Sequence, residues 1–387
     1  TDLLRDTYGY DNVICTDWLV TGDANSLDKF EGKPWGVENI NVAERHYKAL
    51  EAGVDQFGGN YDKSPVIEAY NMGIAAHGEA YMRERFEASA VRLLRNIFRV
   101  GLFENPYLDI AVTELTVGSE AFKIAGFEAQ LRSVILLKNN KNALPLRAQQ
   151  KVYIPKKYIA ASKDWFGKEI PEKWVTPFDL EVVQKYFEVV EDPDEADFAL
   201  VGISSPDTGV GYDRNDLNKG GNGYVPISLQ YGTYIADDAR EVSMAGGSPL
   251  ENFTNRSYKG KSTIATNIFD MKMVLESREK MGDKPVIVTV RVSKPMIFSE
   301  IEPSATSILA HVGVQDEALM EIISGNTEPS ALLPFQMPAN MQTVETQFED
   351  VPRDMTPYVD VEGNTYDFAY GLNWKGVISD GRVKKYK

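Results

Sequence analysis

The chain has 387 residues, of which 43% are hydrophobic, and a formal net charge of -16 at pH 7. This length and apolar content are typical of a globular protein with more than one core. The negative charge argues against binding to nucleic acid or to anionic membranes, because such proteins present basic patches. No apolar run reaches membrane length, so no membrane span is expected. One cysteine, Cys15, excludes an internal disulfide framework and is predicted to be a buried packing residue.

The first chemically informative segment is Asn12 to Thr16, where Val13, Ile14 and Cys15 form a short apolar run. Such a run predicts a parallel strand buried on both faces. Asp17 and Trp18 follow at its exit. Barrel enzymes display their catalytic groups at the carboxyl ends of their strands, so Asp17 is a candidate nucleophile and Trp18 a candidate stacking surface for a ligand.

The next segments alternate in the same manner. The long loop 19–39 contains Trp35, a second candidate for ligand stacking, since long loops on a catalytic face usually have a function. The helix 41–51 and the short strand 52–57 follow, and Asp55 and Gln56 lie near the end of this strand, before two glycines. These two polar residues either face a ligand or are hydrogen-bonded in a structural role.

Helices are predicted at 65–73 and 79–100, followed by a connector of mixed composition. From residue 127 helical stretches alternate with short apolar runs, which predicts a doubly wound α/β sandwich. The predicted strands are 152–155, 198–203, 285–292 and 307–312. Because the ligand crevice of such a sheet lies beyond the carboxyl ends of its strands, the loop 204–223 is a candidate site.

Acidic and basic side chains are available in this loop and in the insertion 224–266 that follows. They are Asp207, Asp213, Arg214, Asp216, Glu241 and Glu251. The three histidines are isolated and lack metal-ligand spacing, so neither a catalytic metal nor another cofactor is expected. The tyrosine-rich insertion is expected either to line a pocket, to meet another subunit or to decorate the surface.

Several stretches together resemble one known family. They are LLRDTYGYDNVICTDW at the start, AVRLLRNIFRVGLFENPYLD from Ala90, SVILLKNNKNALPL from Ser133, SALLPFQMP from Ser330 and YDFAYGLNW from Tyr366. In this order they are similar to glycoside hydrolase family 3, with Thr16 in place of a serine of the family's nucleophile segment. The resemblance implies that residues 1–108 hold the last two β/α units of a (β/α)8 barrel. Residues 109–126 are then a connector, and 127–387 an α/β sandwich domain with an insertion at about 224–266.

The resemblance also implies roles for individual residues. Asp17 matches the family's nucleophile, and the position of the usual acid/base glutamate is Val210. Asp207, Asp213, Glu241, Glu251 or a group on a partner chain could replace that glutamate, with Asp213 preferred and Glu241 next. Trp18, Trp35, Arg214 and Asp216 are the candidate substrate-binding residues. The earlier barrel strands would come from a second polypeptide, since a barrel cannot close without them, and a homo-oligomer remains open.

The function implied by this resemblance is a retaining exo-acting β-glycosidase, first of all a β-glucosidase, that forms a glycosyl-enzyme on Asp17. Two alternatives remain: a β-glycoside phosphorylase, and a non-catalytic carbohydrate-binding relative, which the valine at 210 favours. Bacterial enzymes of this type act in the periplasm or outside the cell. An acidic, cofactor-free chain with a single cysteine fits the cytoplasm as well.

Overall fold

The computed structural model divides the chain into two compact units, one reaching to Val117 and the other beginning at Gly118. They are called the N-terminal unit and the C-terminal unit. The domain bounds 1–108, 109–126 and 127–387 remain predictions beside this division. The structure describes residues 2–23, 32, 34, 36–146, 149–163, 168–243, 256–348, 351 and 353–386.

The described part of the N-terminal unit is mainly helical. Its elements are a π-helical turn (Asp2–Thr7) and the helices α1 (Val42–Glu51), α2 (Ser64–His77), α3 (Glu79–Arg99) and α4 (Ile110–Thr116). Asn41 begins α1 with a capping box, accepting the N–H of Glu44 at 2.9 Å and donating its own N–H to the Glu44 carboxylate at 2.7 Å. Helix α1 packs on α2, and α2 packs on α3 across a break at Gly78.

The two strands predicted in this unit form only an isolated parallel bridge between Cys15 and Gln56. Thr16 N–H donates to the Gln56 carbonyl at 3.0 Å, and Asp55 N–H donates to the Ile14 carbonyl at 2.8 Å. The predicted neighbours are therefore adjacent and parallel, but among the described residues neither has a second strand beside it. Cys15 is exposed, so the prediction of a buried cysteine is wrong. Its segment has one neighbouring strand segment among the described residues and is not covered on both sides.

The C-terminal unit contains a mixed eight-stranded sheet. Its strands are β1 (Ile135–Asn139), β2 (Lys151–Tyr153), β7 (Glu188–Val190), β8 (Phe198–Ser204), β11 (Val286–Arg291), β12 (Ser307–His311), β13 (Leu372–Asn373) and β14 (Gly376–Val377). They lie in the order β14-β13-β1-β12-β11-β8-β2-β7. Three two-stranded pairs complete the strands: β3 (Lys157–Ile159) with β6 (Lys173–Val175), β4 (Ser162–Lys163) with β5 (Glu169–Ile170), and β9 (Tyr234–Ile235) with β10 (Ser262–Thr263). The four strands predicted in this region are confirmed.

Helices accompany this sheet. They are α5 (Glu120–Leu131), α6 (Leu180–Val183), α7 (Arg214–Asn218), α8 (Ile268–Met281), α9 (Asp316–Ile323), α10 (Met341–Thr346) and α11 (Gly381–Tyr386), with 3-10 turns at Asn140–Asn142 and Glu302–Ser304. Helix α8 packs on β8 and β11, and α5 and α6 each pack on α9. The arrangement fits the predicted α/β sandwich, whereas the barrel part remains a proposal.

The parallel strands of this sheet determine where a ligand crevice can form. Strands β7, β2, β8, β11 and β12 are parallel neighbours, and β1 pairs antiparallel with β12. The chain runs from β2 outward to β7 and then returns to β8 on the opposite side of β2. This reversal is a topological switch point, and ligands bind beside such points at the carboxyl ends of the strands.

Candidate active site

Asp17 lies immediately after the parallel bridge of the N-terminal unit, at the carboxyl end of its segment. Its carboxylate is exposed, and one oxygen, Oδ1, accepts the N–H of Trp18 at 2.7 Å. The chain then turns at Leu19, which has a φ of 57° and donates its N–H to the Gly58 carbonyl at 3.0 Å. The predicted position of the carboxylate is therefore reproduced, and its second oxygen is available to an incoming group.

Two glycines bring the chain close to this turn. A Cβ at Gly58 would lie 2.6 Å from the Thr16 carbonyl oxygen, and one at Gly59 would lie 2.5 Å from Cε3 of Trp18. Gly59 also has a φ of 70°, which only glycine adopts without strain. The Trp18 indole rests against this glycine while its side chain remains 62% exposed. One face of the ring is thus supported from below, as a stacking platform requires.

The Thr16 hydroxyl has a structural role beside Asp17. Its Oγ1 accepts the N–H of Gly58 at 2.9 Å. A serine at this position would offer the same hydroxyl acceptor. This hydrogen bond, together with the Leu19–Gly58 bond, fixes the backbone on both sides of Asp17.

Asp55 is the buried centre of a cation cluster under this loop. Its fully buried carboxylate accepts hydrogen bonds from Arg5 at 2.6 Å, Ser89 at 2.6 Å, Arg92 at 3.1 Å and the Ile14 N–H at 3.0 Å. Burial raises the pKa of Asp55, but these bonds and charges outweigh it and hold the pKa below the usual 3.8. Of the two roles open from sequence, this geometry supports the structural one. Asp55 ties the Asp17 segment to α3.

Helix α1 contributes two buried polar residues that the sequence analysis did not single out. Arg45 donates to Asp23 at 2.7 Å and to the Val37 carbonyl at 2.9 Å, so it connects two parts of the long loop 19–39. His46 lies against the Val42 carbonyl at 2.8 Å, and burial lowers its pKa. The helical period of 41–51 places these residues on one helix but gives no sign that a charged side chain points inward.

In the C-terminal unit the candidate carboxylates are engaged in building their own loop. Asp213 is the N-cap of α7, accepting the Asn215 N–H at 2.8 Å. Asp216 accepts from the Lys261 ammonium at 2.7 Å and from the Gly223 N–H at 2.9 Å. Burial raises the pKa of Asp216, but these two bonds outweigh it and hold the pKa below 3.8. Lys261 also reaches the Tyr224 carbonyl at 2.6 Å, so it clamps the loop to the insertion.

The remaining candidates differ in their surroundings. Asp207 caps its own turn by accepting the Gly209 N–H at 3.1 Å, while Glu241 is exposed. Val210, at the position of the family's usual glutamate, is 76% exposed. Trp35, Glu251 and the side chain of Arg214 lie outside the described residues.

The root of the candidate loop is held by a buried carboxylate that sequence reasoning missed. Asp270 on α8 accepts from Lys157 at 2.8 Å and from the Ser204 N–H at 2.9 Å. Tyr231, from the insertion, donates its hydroxyl to the Ser204 carbonyl at 2.5 Å. These bonds fix the exit of β8, from which the loop departs. An aspartate near the start of a predicted helix resembles an ordinary surface charge, so the sequence offered no signal.

The described parts of the insertion are partly buried. Tyr224 and Tyr231 are fully buried, and Glu345 on α10 accepts the hydroxyls of Tyr234 at 2.7 Å and Tyr258 at 2.8 Å. The rings of Tyr224, Tyr234 and Tyr258 belong to a second hydrophobic cluster, and Tyr231 packs in the main core, so these tyrosines are not a surface decoration. Within the described ranges no three His, Cys, Asp or Glu side chains could hold a metal ion. No described helix is long and apolar enough to cross a membrane.

Comparison with known proteins agrees with this arrangement. Residues 259–374 match the model of the glycosyl hydrolase family 3 C-terminal domain. The chain is therefore similar to a C-terminal portion of glycoside hydrolase family 3 proteins, and residues 259–374 resemble the C-terminal domain of that family.

Individual relatives extend this similarity beyond residues 259–374. A protein named probable beta-glucosidase C from Aspergillus oryzae is 29% identical over 385 residues, which is 99% of this chain and 49% of the relative. A periplasmic beta-glucosidase/beta-xylosidase from Dickeya chrysanthemi is 29% identical over 96% of this chain and 47% of its own length. The chain thus spans about half the length of the curated relatives it matches.

Solved structures show the same fold. A β-glucosidase from Listeria innocua in complex with gluconolactone superposes with a TM-score of 0.56 at 15% identity, covering 94% of this chain and 48% of that one. A mutant exo-1,3/1,4-beta-glucanase from a Pseudoalteromonas species gives a TM-score of 0.55 at 16% identity, covering 98% of this chain and 55% of that one.

Proposed function

We propose that the protein is a retaining exo-acting β-glycosidase, first of all a β-glucosidase, with Asp17 as its nucleophile. The observation that carries this proposal is the exposed Asp17 carboxylate at the end of a parallel bridge, beside a supported indole. Relatives named β-glucosidase align with 99% of the chain, which supports the substrate class.

The reaction would proceed by double displacement. One Asp17 oxygen attacks the anomeric carbon while the glycosidic bond breaks and an acid protonates the leaving oxygen. Water, deprotonated by the same acid/base group, then releases the sugar with retained configuration. Trp18 and Trp35 would stack on sugar rings, and Arg214 and Asp216 would contribute at the edge of the substrate site.

The structure changes the preference among the acid/base candidates. Asp213 caps α7 by accepting the Asn215 N–H, which holds its short side chain at the start of that helix. Glu241 is exposed and has a longer side chain. We therefore place Glu241 ahead of Asp213.

The proposal includes further protein surface that completes the barrel, as a second polypeptide or another part of the same one. Large apolar side chains on and after α3 are exposed, among them Phe103, Tyr107, Leu108 and Ile110. Exposed apolar side chains at this density in one stretch of the chain support an interaction surface. A periplasmic or extracellular location is proposed because relatives from Dickeya chrysanthemi and Salmonella typhimurium are named periplasmic.

The test is kinetic and uses the active, purified protein. Asp17→Asn should lower kcat/KM for an aryl β-glucoside about 10³-fold or more, because the nucleophile is lost. Asp6→Asn, a change at an exposed aspartate, is the matched control and should leave the rate unchanged. Equal rates for both variants would refute the nucleophile. A rate that depends on added phosphate would identify the phosphorylase alternative, and no turnover by the unmodified protein would identify the binding relative.

The acid/base candidates are separated by leaving group. Loss of the acid should slow hydrolysis of a phenyl β-glucoside far more than of a 2,4-dinitrophenyl β-glucoside, whose leaving oxygen needs no proton. Glu241→Gln is expected to show this pattern, and Asp213→Asn is expected to change both substrates equally. The opposite result would restore Asp213 as the first choice.

A further inference from the structure

A cleft of about 920 Å³ lies in the C-terminal unit at the carboxyl ends of β2 and β7. The pair β3–β6 forms one wall and α8 the other, and Tyr153 and Val190 lie on the floor. The position is next to the reversal of strand order at β2, where open α/β sheets bind their ligands. The volume falls within the roughly 300–1,000 Å³ usual for small-molecule sites.

Three aromatic rings meet where the β3–β6 wall of this cleft contacts α8. Tyr158 and Trp174 are direct cross-strand partners, with ring centroids 5.2 Å apart, and the Tyr158 ring lies 4.5 Å from that of Phe269 on α8. The Tyr158 hydroxyl donates to Glu172 at 2.5 Å, which fixes the central ring. Trp174 nevertheless remains 65% exposed. The cluster is thus held on one side and offers an indole to solvent on the other.

The rim of the cleft carries charges of both signs. Lys156, Lys272 and Lys280 alternate with Glu191 and Glu276, and the Lys272 ammonium lies 4.7 Å from the centre of the Phe269 ring. Such a rim offers donors and acceptors together without selecting an ion of either sign. The aromatic cluster of Tyr158, Trp174 and Phe269, together with this rim, matches a ligand that has apolar C–H faces and hydroxyl edges.

We propose that this cleft binds a neutral oligosaccharide, with Trp174 stacking on a sugar ring and the rim lysines and glutamates contacting its hydroxyls. Aromatic rings with an apolar face and a polar surround suit such ligands, because stacking and hydrogen bonding act on different faces of a pyranose. The proposal rests on the cleft alone and stands whether or not Asp17 is a nucleophile.

The test is isothermal titration of the purified protein with S-linked thiocellotetraose, a thioglycoside that resists glycosidases. Trp174→Ala should raise Kd about tenfold or more, and Trp174→Phe should recover part of the affinity because a ring is retained. Phe348→Ala, a similarly exposed aromatic in the same unit, is the control and should bind like the unmodified protein. Trp174 is largely exposed, so the variant is expected to fold.

A second measurement separates this cleft from the reaction. kcat/KM for a single-sugar aryl β-glucoside should be the same in Trp174→Ala and in the unmodified protein. Affinity for the tetrasaccharide that is unchanged in Trp174→Ala, or absent in the unmodified protein, would overturn the proposal. So would a concentration-dependent dimer that Trp174→Ala abolishes in sedimentation, because the cleft would then be covered by a second copy.

Discussion

Strand β8 in the C-terminal unit and the segment before Asp17 in the N-terminal unit have similar short apolar sequences and different structures. β8 pairs with β2 on one side and β11 on the other, and its first six residues are buried. The segment Asn12–Thr16 has one neighbour among the described residues and forms a single bridge. In this comparison the run with hydrogen-bond partners on both edges forms a seven-residue strand, whereas the run with one neighbour forms a single bridge.

What replaces the ladder in the N-terminal unit is a set of side-chain hydrogen bonds. Asp55 joins the π-helical turn, the Asp17 segment and α3 through Arg5, Ile14 and Ser89. The C-terminal unit is stabilised mainly by backbone hydrogen bonds between strands and by the burial of apolar side chains. The two units should therefore respond to different substitutions and to different ranges of pH.

The largest effect is expected from Asp55→Ala. Removing this buried carboxylate takes away the acidic partner of Arg5 and one of the two acidic partners of Arg92, and breaking such a buried pair typically destabilises by about 3–5 kcal/mol. Asp11→Ala removes an exposed partner of Arg92 and Arg95 and should change the unfolding free energy far less than Asp55→Ala does, because solvent screens exposed ion pairs. Urea unfolding of both variants measures the difference. Similar values for the two would show that Asp55 is not the centre of this unit.

The acid response of Asp55 has a definite sign. Its pKa is below 3.8 in the folded protein, so the stability it contributes is complete above that value and is lost as the pH falls through the folded pKa. Asp55→Asn should remove this acid-dependent loss. A variant with an unchanged acid transition would contradict the assigned role.

Matched isoleucines test the contrast between the two strands directly. Ile287→Ala in the fully buried β11 should destabilise by about 2–5 kcal/mol, because it opens a cavity between packed strands. Ile14→Ala, in the half-buried segment before Asp17, should lie at or below the lower end of this range. The measurement is the shift in urea midpoint at constant slope. Equal losses would mean that the first segment is packed as tightly as the sheet.

The smallest of these effects comes from His311 at the end of β12. Burial and the nearby Arg291 charge lower its pKa from 6.5 to about 4. The folded protein therefore binds fewer protons than the unfolded chain between pH 4 and pH 6.5. The free energy of unfolding decreases as the pH is lowered through that window. The loss between pH 7.5 and pH 5 should be about 2 kcal/mol.

His311→Asn is the matched variant for this window, since it keeps a polar side chain and removes the titration. Its urea midpoint should change less between the two pH values than that of the unmodified protein. An identical pH dependence in both proteins would show that another group is responsible.

Sequence reasoning succeeded where the signal is local and the partners are near in the chain. The buried strands 198–203 and 285–292 were predicted because an uninterrupted apolar run flanked by helical periods has few other solutions. Asp17 was located because it follows such a run. Its exposure and the support of Trp18 by Gly59 agree with a site, although the catalytic role remains a proposal.

Other features depend on partners that only the fold brings together. The partners of Asp55 and Asp270 are far away in the chain: Arg5 is 50 positions from Asp55, and Lys157 is 113 positions from Asp270. No local sequence pattern distinguishes these two aspartates from surface aspartates. Cys15 was predicted to be buried because a short apolar run usually has strands on both sides, and only the fold shows which neighbours the segment has. The cap formed by Asp213 was visible in principle, since aspartate before a short helix is a common N-cap.

The central claim is that Asp17 forms a covalent bond with the sugar, and peptide mass spectrometry after reaction with a 2-fluoro-β-glucosyl fluoride tests it most directly. The fluorine slows breakdown of the intermediate, so a glycosyl label should accumulate on the peptide that contains Asp17 and be absent from Asp17→Asn. A label on another carboxylate, or none on a protein that hydrolyses aryl β-glucosides, would contradict the account.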